Sequence, residues 1–462
     1  MARVIKRHKA VSVRPLKTGQ PTGAVLAFQG IRHAIPMLHG SQGCSAFTKV
    51  FFVRHFREPI PLQTTAMDPI SAVMGGTGNV ITGLETLAKA GKARVIGLIT
   101  TGLTEVQGVD LQGVVEQFRN SHSGLAGKVT VVGVHAADFS GCLENGYAQA
   151  VLGMIQTLVP EHRDTLRNAG GVSYVNVLPG AHLTPGDVDV LKAYITAFGL
   201  HPLVLPDLSS ALDGHIPESL SSPVSVGGTT WEEMTHMPRA LATLVVGSAM
   251  RRAAEDLEAR TGIPTHYCQG LMGVEALDQL VSLLIGLSGR PVPAWIERDR
   301  SRLLDAMMDT HFTLSGRRLG LAGDPDWLLQ WHGMLVEMGL DTPVVVASTQ
   351  SQALSQSGFE TVKIGDLEDL EDMVTGLDTN QRPHALVGNS HVAEVAGRLR
   401  LPVIRSGYPL FDWIGGHARA WIGYEGTRQV FYDLANAITH SGVPKHHPFR
   451  SRFSTFPEKE PK

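Results

Sequence analysis

The amino-acid sequence predicts an α/β fold of three Rossmann-like domains, each a mostly parallel sheet flanked by helices. With 462 residues, the chain is too long for one ordinary hydrophobic core. Short, continuous apolar runs alternate with amphipathic segments, which is typical of strands covered by helices on both faces. This alternation occurs in three rounds. We therefore expect an N-terminal domain at 1–165, a second domain at 166–312, a third at 313–440 and a polar C-terminal tail at 441–462.

The elements of each round follow from the sequence in chain order. In the first round, RVIGLITT (94–101) and KVTVVGVH (128–135) are predicted strands, and 142–159 is a predicted helix with a face of small residues. In the second, VSYVNVLPG, TPGDVDVLKAYITAFGL and HPLVLPD give strand, helix and strand, and ATLVVGS, MRRAAEDLEARTG and IPTHYCQG repeat that order. In the third, RRLGLAGDP, DWLLQWHGMLVEMGL and TPVVVAST precede HALVGNS, HVAEVAGRLR and LPVIRSG. Because helices separate the strands, each sheet is expected to be parallel.

Composition and charge narrow the class of protein. The chain is 43% hydrophobic with a formal net charge of −3, which gives no overall bias toward nucleic acid or a membrane. No purely apolar stretch approaches the roughly 20 residues that span a bilayer, and the basic first residues lack the apolar segment of a signal peptide. The cysteines Cys44, Cys142 and Cys268 are too few and too scattered for a disulfide framework. We expect a cytoplasmic protein in which Cys142 and Cys268 are small core residues.

The N-terminal segment has an unusual charge distribution. From Met1 to Phe56 there are many lysines and arginines but no acidic residue, and the first carboxylate belongs to Glu58. One interpretation is a basic arm that is solvated or lies on an acidic partner. The other is that this region lies beside something anionic, such as a thiolate-ligated metal cluster. The sequence leaves both interpretations open.

The stretch HGSQGC (39–44) is the first candidate site. A buried structural thiol prefers apolar neighbours, whereas Cys44 is flanked by glycine and serine, which lets a ligand approach the backbone closely. A nucleophilic pair of Cys44 with His39 or His55 is an alternative, because spatial neighbours cannot be identified from sequence. Cys44 is therefore either a ligand or a reactive thiol.

Other motifs give weaker signals. The glycine-rich MGGTGNV (74–80) precedes a helical pattern and is interpreted as a packing turn rather than an anion site. No GxGxxG follows a strand and no Walker A sequence is present, so a nucleotide site is not predicted. HYC (266–268) and KHH (445–447) lack the spacing of a zinc site. The acidic pair in GDPDW is expected to cap the helix that follows it.

Several motifs in order resemble the β-type subunits of the nitrogenase component 1 family. The N-terminal ones are HGSQGC, RHFREP and MGG, followed by ITTGLTEVQGVDL. The central one is IERDRSRLLDAMMDTHFTLSGRRLGLAGDPDW (296–327), and the C-terminal ones are LVGNS and RSGYPLFDWIGGHARAWIGYEG (within 386–426). The resemblance spans nearly the whole chain and implies the three-domain fold of that family.

The departures from that family pattern concern the ligands of its interface cluster. The resemblance places Cys44 at the first of three cysteine positions, but Leu62 and Gly102 at the other two. Asp138 stands at the position of an auxiliary serine and is expected to be a helix N-cap rather than an oxygen ligand. Since neither leucine nor glycine has a side chain that binds iron, the resemblance implies a [4Fe–4S] cluster that takes one thiolate from Cys44 and three ligands from another subunit.

The same resemblance suggests residues that support the cluster. The Gly43 N–H and the side chains of Ser41 and Ser45 are expected to donate hydrogen bonds to its sulfides.

This pattern of lost cysteines resembles the NifN branch of the family. The resemblance implies that the chain pairs with a NifE-like α-type subunit in an α2β2 heterotetramer, on which the iron–molybdenum cofactor is assembled. It also implies that the partner holds most of the cofactor precursor, that the nitrogenase Fe protein docks transiently, and that the chain is not catalytic on its own. Two alternatives stay open: a β-type electron-relay subunit of a nitrogenase-like reductase, and an unrelated Rossmann enzyme with Cys44 as nucleophile.

Overall fold

Three parallel sheets, each flanked by helices, form the framework of the protein. The computed structural model describes residues 1–7, 9, 11–161, 172–216 and 222–441. The KHH motif and the predicted C-terminal tail, apart from its first residue, lie outside the described residues. Within these ranges, no helix is both long enough and apolar enough to cross a membrane. The predicted α/β class is confirmed.

The elements are numbered along the chain. The strands are β1 (Arg3–Ile5), β2 (Ala34–His39), β3 (Gln63–Thr64), β4 (Val95–Thr100), β5 (Thr130–Val134), β6 (Tyr174–Leu178), β7 (His201–Val204), β8 (Ala242–Val246), β9 (Thr265–Cys268), β10 (Arg318–Gly323), β11 (Asp341–Ala347), β12 (Thr361–Ile364), β13 (Ala385–Gly388) and β14 (Val403–Arg405). The helices are α1 (Gln20–Gln29), α2 (Gln42–Phe56), α3 (Pro69–Met74), α4 (Thr77–Ala90), α5 (Gly102–Val106), α6 (Leu111–Ser121), α7 (Ser123–Ala126), α8 (Leu143–Leu158), α9 (Pro185–Ala197), α10 (Trp231–His236), α11 (Arg251–Thr261), α12 (Val274–Ser288), α13 (Ala294–Leu314), α14 (Pro325–Glu337), α15 (Gln352–Gln356), α16 (Leu367–Thr375), α17 (Ser390–Leu399) and α18 (Gly423–Thr439).

The first sheet has the strand order β3-β2-β4-β5, and the second has the order β7-β6-β8-β9. All their pairings are parallel. In β2 and β4 every residue is buried, as expected of strands covered on both faces. In register, His39 at the end of β2 lies beside Thr100 at the end of β4. The loops that follow these two strands therefore emerge side by side.

The packing of α1 on α8 depends on two glycines. A Cβ built on Gly23 would lie 1.9 Å from the Leu143 carbonyl oxygen, and one built on Gly146 would lie 1.9 Å from the Gln20 carbonyl oxygen. Any larger residue at these positions would separate the two helices. The small-residue face predicted for the helix at 142–159 is thus used for close helix packing.

The third sheet, in the order β1-β12-β11-β10-β13-β14, includes the N-terminal strand. Arg3 pairs with Thr361 and Ile5 with Lys363, both in parallel register. Residues 3–5, which the predicted boundaries assign to the first domain, thus add an edge strand to the last sheet. The boundaries themselves stay a prediction.

The basic N-terminal arm lies against acidic residues at the start of α16. The Lys9 Nζ is 3.1 Å from Asp366 Oδ1 and 2.5 Å from Glu368 Oε2. Arg14 forms an ion pair with Glu371 at 2.5 Å. These contacts favour the interpretation of a basic arm on an acidic partner, and they show that this partner is part of the same chain.

Candidate functional site

Cys44 lies in the first turn of α2, whose N-cap is Ser41. Its side chain is half-buried, and its Sγ is 3.6 Å from the Ser41 Oγ. The first N–H groups of a helix have no partner within the helix and carry partial positive charge, so they favour an anionic group bound beside them. No acidic residue in the first turn of α2 opposes this effect. The position suits a cysteine that acts as a thiolate ligand.

Two glycines near Cys44 have different surroundings. A Cβ built on Gly40 would lie 2.6 Å from Thr101 Oγ1, so the close approach of two loops requires glycine there. A Cβ built on Gly43 would have no neighbour nearer than the Ser41 Oγ, at 3.9 Å. Gly43 is also exposed. The space beside the thiol is therefore open, and a bulky group can reach it.

Gly102 and Asp138 lie together at the next two strand ends of the first sheet. Gly102 begins α5 after β4, and its N–H donates to Asp138 Oδ2 at 3.3 Å. The Lys17 Nζ donates to the Asp138 carbonyl oxygen at 3.1 Å. Burial raises the pKa of the Asp138 carboxyl, although the Gly102 N–H opposes this shift. The structure thus brings together two of the positions that the sequence singled out.

The expectation that Asp138 is a helix N-cap is wrong: it is the N-cap residue of neither α5 nor α8. The N-cap of α8 is Cys142, with Asn145 accepting from its backbone N–H at 2.9 Å. The turn at residues 138–141, with Gly141 at φ 64°, separates Asp138 from α8. Its carboxylate instead accepts from the N-terminus of α5, a helix distant in sequence.

Leu62, at the other position of a lost cysteine, is part of the hydrophobic core. It is buried immediately before β3. It belongs to the core cluster that includes Leu38, Phe52 and Phe56. A leucine in this environment contributes packing rather than a ligand.

The two serines beside Cys44 differ in their hydrogen bonds. The Ser45 hydroxyl donates to the Gln42 carbonyl oxygen at 2.9 Å, so its hydrogen is already used within α2. The Ser41 hydroxyl is the one that lies next to the Cys44 Sγ. The expectation of a donor role is therefore supported by geometry for Ser41 but not for Ser45.

The two histidines considered as bases are buried and have hydrogen-bond partners other than the thiol. His39 Nδ1 is 3.0 Å from Thr65 Oγ1, and His55 Nδ1 accepts from the Leu410 N–H at 2.9 Å. Burial lowers the pKa of His39 to about 4. Burial, with a smaller contribution from His417, lowers the pKa of His55 to about 3. Among the described residues neither histidine is hydrogen-bonded to Cys44, so a Cys–His nucleophile has no geometric support.

The glycine-rich turn at 74–80 packs against the first sheet, as interpreted from the sequence. Gly76 is the N-cap of α4. A Cβ on Gly76 would lie 2.7 Å from His39 Cε1 and 3.0 Å from Met67 Cε. The glycine permits tight packing, and nothing in this geometry indicates an anion site.

The other two cysteines lie on other elements of the fold, Cys142 at the start of α8 and Cys268 at the end of β9. Cys142 is fully buried, and burial together with the nearby Asp324 and Glu144 carboxylates raises the pKa of its thiol. Cys268 ends β9 and is half-buried, and burial raises the pKa of its thiol to about 11. Their expected core role is confirmed for Cys142 and holds in part for Cys268.

An exposed apolar surface lies on the elements whose ends meet near Cys44, and sequence reasoning missed it. The Gln107 side chain donates to the Ala72 carbonyl oxygen and ties α5 to α3. Large apolar side chains on α2, α3, α5 and the β5–α8 loop are exposed, and we refer to them as the apolar rim: Phe47, Val50, Ile70, Val73, Met74, Leu103, Val106 and Phe139. Met74 is 81% exposed and Val73 is 83% exposed. Contiguous exposed apolar surface is typical of interaction sites.

The fold and this site define a class of protein. A model of the nitrogenase component 1 type oxidoreductases matches residues 19–439. The chain of a structure titled "Nitrogenase Cp1 at pH 6.5" superposes with a TM-score of 0.86 at 27% identity, over 94% of this chain and 95% of that one. The chain belongs to the nitrogenase component 1 family.

Its curated relatives narrow the resemblance further. The nitrogenase iron-molybdenum cofactor biosynthesis protein NifN of Bradyrhizobium diazoefficiens is 41% identical over 457 residues, covering 99% of this chain and 96% of the relative. The NifN of Klebsiella pneumoniae is 40% identical over 439 residues, covering 95% and 93%. The resemblance to NifN is thus confirmed over nearly the whole chain.

Proposed function

We propose that this chain is the NifN-type scaffold subunit of a NifEN-type complex, on which the nitrogenase iron–molybdenum cofactor is assembled in the cytoplasm. The observation that carries the proposal is the near full-length similarity to NifN proteins, whose name states a role in that biosynthesis. The local geometry at Cys44 supports a scaffold role, because one half-buried thiol beside exposed apolar side chains suits a group shared between two subunits.

Within this proposal, Cys44 gives one thiolate to a [4Fe–4S] cluster at the subunit interface. Such a cluster needs four ligands, usually cysteine. Leu62 is in the core and Gly102 has no side chain, so the remaining three ligands come from the NifE-like α-type subunit. The residues present fit this arrangement, since Gly43 leaves space beside the thiol and the N-terminus of α2 favours negative charge.

The chain's own residues would hold and tune such a cluster. When bound, a [4Fe–4S] cluster supplies one-electron transfer, and hydrogen bonds to sulfur set its potential. Two sets of donors could form such hydrogen bonds. They are the Ser41 hydroxyl, which lies beside the Cys44 Sγ, and the first N–H groups of α2. The iron–molybdenum cofactor precursor itself is held mainly by the partner.

The apolar rim would form the contact with other proteins in this scheme. Its side chains are exposed in the isolated chain and lie on the elements around Cys44. One part of the apolar rim would contact the permanent partner around the cluster. The Fe protein would dock transiently on the rest of the rim. The complex is proposed to be an α2β2 heterotetramer.

The test is anaerobic co-purification with the NifE-like partner, followed by iron quantitation and EPR spectroscopy. We expect Cys44→Ala to lower the iron content and to change the four-iron signal, while the complex still assembles. Cys268→Ala is the matched control, since this thiol ends β9 in the second sheet and its loss should leave iron unchanged. Unchanged iron and spectra in Cys44→Ala would show that Cys44 is not a ligand.

A second candidate function is an electron-relay subunit of a nitrogenase-like reductase. This second candidate is supported by the 27% identity to a chain of a nitrogenase structure, which superposes with a TM-score of 0.86. A reductant-driven substrate-reduction assay of the purified complex separates the two functions. Sustained turnover that is lost in Cys44→Ala would favour the reductase, and turnover absent from a complex that retains its iron would favour the scaffold.

A further inference from the structure

A buried cluster of ionisable side chains lies where loops from the three sheets meet. Glu144 is in the first turn of α8, which follows the first sheet, and Asp326 is in the first turn of α14, which follows β10 of the third sheet. His182 is in the loop between β6 and α9 of the second sheet. One potential ligand atom from each residue lies within 4.8 Å of the other two. Each sheet thus supplies one residue.

The two carboxylates are held in place by backbone N–H groups. The Asp326 N–H donates to both Glu144 oxygens, at 3.1 and 3.0 Å, and the Trp327 N–H donates to Glu144 Oε1 at 3.2 Å. Asp326 in turn accepts from the N–H groups of Ser248, at 2.8 Å, and Ala249, at 2.9 Å, and from the Ser248 hydroxyl. As expected from GDPDW, Asp324 is the N-cap residue of α14 and Asp326 lies in the first turn of that helix. The free N–H groups there donate to Glu144, however, and the Asp326 carboxylate accepts from residues 248 and 249.

These hydrogen bonds do not saturate the carboxylates. Each carboxylate has about four lone-pair positions, so both Glu144 and Asp326 keep acceptor capacity. Within the described residues, no lysine or arginine comes within salt-bridge distance of Glu144, Asp324 or Asp326, although the charge of Lys17 opposes the rise that burial causes in the pKa of Asp324. A concentration of buried carboxylates without a cation is costly unless a cation or a proton is bound.

The unpaired side chain of His182 is a second observation, independent of the carboxylates. Both of its ring nitrogens are buried, and neither makes a hydrogen bond of normal geometry, although the Gln330 side chain is near. Buried polar atoms are nearly always paired, so an unpaired imidazole that faces two carboxylates indicates a missing ligand. Glu144 and His182 also line a cavity of about 50 Å³, which is large enough for an ion or a water.

We propose that Glu144, His182 and Asp326 bind one divalent first-row metal ion that joins the three sheets. One imidazole nitrogen and two carboxylate oxygens suit Zn²⁺, Fe²⁺ or Mn²⁺. The backbone N–H groups around the carboxylates orient these ligands, as outer hydrogen bonds do at known metal sites. The site is independent of Cys44 and contains no sulfur, so it is distinct from the proposed cluster.

The test uses the full complex, dialysed against Zn²⁺ and then against metal-free buffer, with zinc counted by mass spectrometry. We expect one retained zinc per chain in the wild type and in Cys44→Ala, and at least a tenfold lower occupancy in His182→Gln. His332→Gln is the matched control, because His332 is a partly buried histidine whose Nδ1 is also unpaired but which faces Phe359. Equal zinc in wild type and His182→Gln, or none in the wild type, would overturn the proposal.

If His182→Gln fails to fold, a spectroscopic measurement on the wild-type complex tests the proposed metal site. Zinc K-edge X-ray absorption of the wild-type complex should show nitrogen and oxygen ligands at about 2.0–2.2 Å. A sulfur ligand at about 2.3 Å would place the zinc at a cysteine and refute the site. Metal loading should also raise the thermal midpoint of the wild type, because a ligand that binds only the folded state stabilises it.

Discussion

Asp138 and Gly102 are 36 positions apart in the chain, yet the Asp138 Oδ2 accepts the Gly102 N–H at 3.3 Å. One follows β5 and the other follows β4, and these strands are neighbours in the first sheet. The contact shows that the carboxyl ends of adjacent parallel strands gather the positions that the sequence singled out. It also places the Asp138 carboxylate beside Gly102, which stands at one of the cysteine positions of the family pattern.

Position 102 does not require glycine, because the surrounding space can hold a small side chain. A Cβ there would meet Asp138 Oδ2 at 3.4 Å, an ordinary contact, whereas a Cβ on Gly40 would lie 2.6 Å from Thr101 Oγ1. We expect Gly102→Ala to leave the free energy of unfolding unchanged or to raise it by up to about 1 kcal/mol. Gly40→Ala should lower it by about 1–3 kcal/mol. Urea denaturation of both variants checks this, and equal losses would contradict the packing described for Gly102.

Leu62 is expected to matter for folding and not for iron. Because its side chain is buried in the core, Leu62→Ala should lower the free energy of unfolding by about 2–5 kcal/mol. The iron content per folded complex should stay at the wild-type value. Leu241→Ala, at a side chain that is 39% exposed and outside the apolar rim, is the control and should cost less than about 0.5 kcal/mol. A selective loss of iron in Leu62→Ala would give this residue a role at the cluster.

Acidification should destabilise the chain through its buried histidines. The pKa is lowered from 6.5 to about 3 at His55 and to about 4 at His39, so the unfolded chain binds these protons at a higher pH than the folded one. The contribution of these two histidines to the free energy of unfolding is therefore fully present above pH 6.5, and it decreases as the pH falls toward 4. Each histidine contributes a slope of about 1.4 kcal/mol per pH unit in that range.

The measurement is the free energy of unfolding from pH 7 to pH 5 for the wild type and His55→Gln. The variant should show the smaller slope, since a glutamine side chain does not titrate. Identical slopes in the two proteins would rule out His55 as a source of the pH dependence.

The apolar rim should control association rather than folding. Met74→Asp adds a charge to a side chain that is 81% exposed, so the stability of the chain should change by less than about 0.5 kcal/mol. Binding to the partner or to the Fe protein should weaken at least tenfold, as expected when a charge enters an apolar interface. Val336→Asp on α14, 58% exposed, is the control. Analytical ultracentrifugation with the partner, and pull-down with the Fe protein, measure the two contacts.

Part of the fold was predictable because its signals are local. The apolar runs of β4 and β5, and the helix α8, lie where the sequence places them. The short edge strands β1 and β3 were not predicted, since two or three residues carry no usable periodicity. The cap role of Asp138 was misassigned because its carboxylate accepts from a helix that is distant in sequence. The cap of α14 was predicted at the right place, in GDPDW, because that signal is local.

The sequence by itself determined the α/β class, the family resemblance, and Cys44 as the accessible thiol in a glycine-rich turn. These depend on composition and on neighbours within a few residues. Only the tertiary structure decided that the basic arm lies on α16, that Leu62 is a core residue, and that Glu144, His182 and Asp326 meet. The physical reason is that parallel strands bring their carboxyl ends to one edge, so residues far apart in the chain become neighbours only when the sheets form and pack.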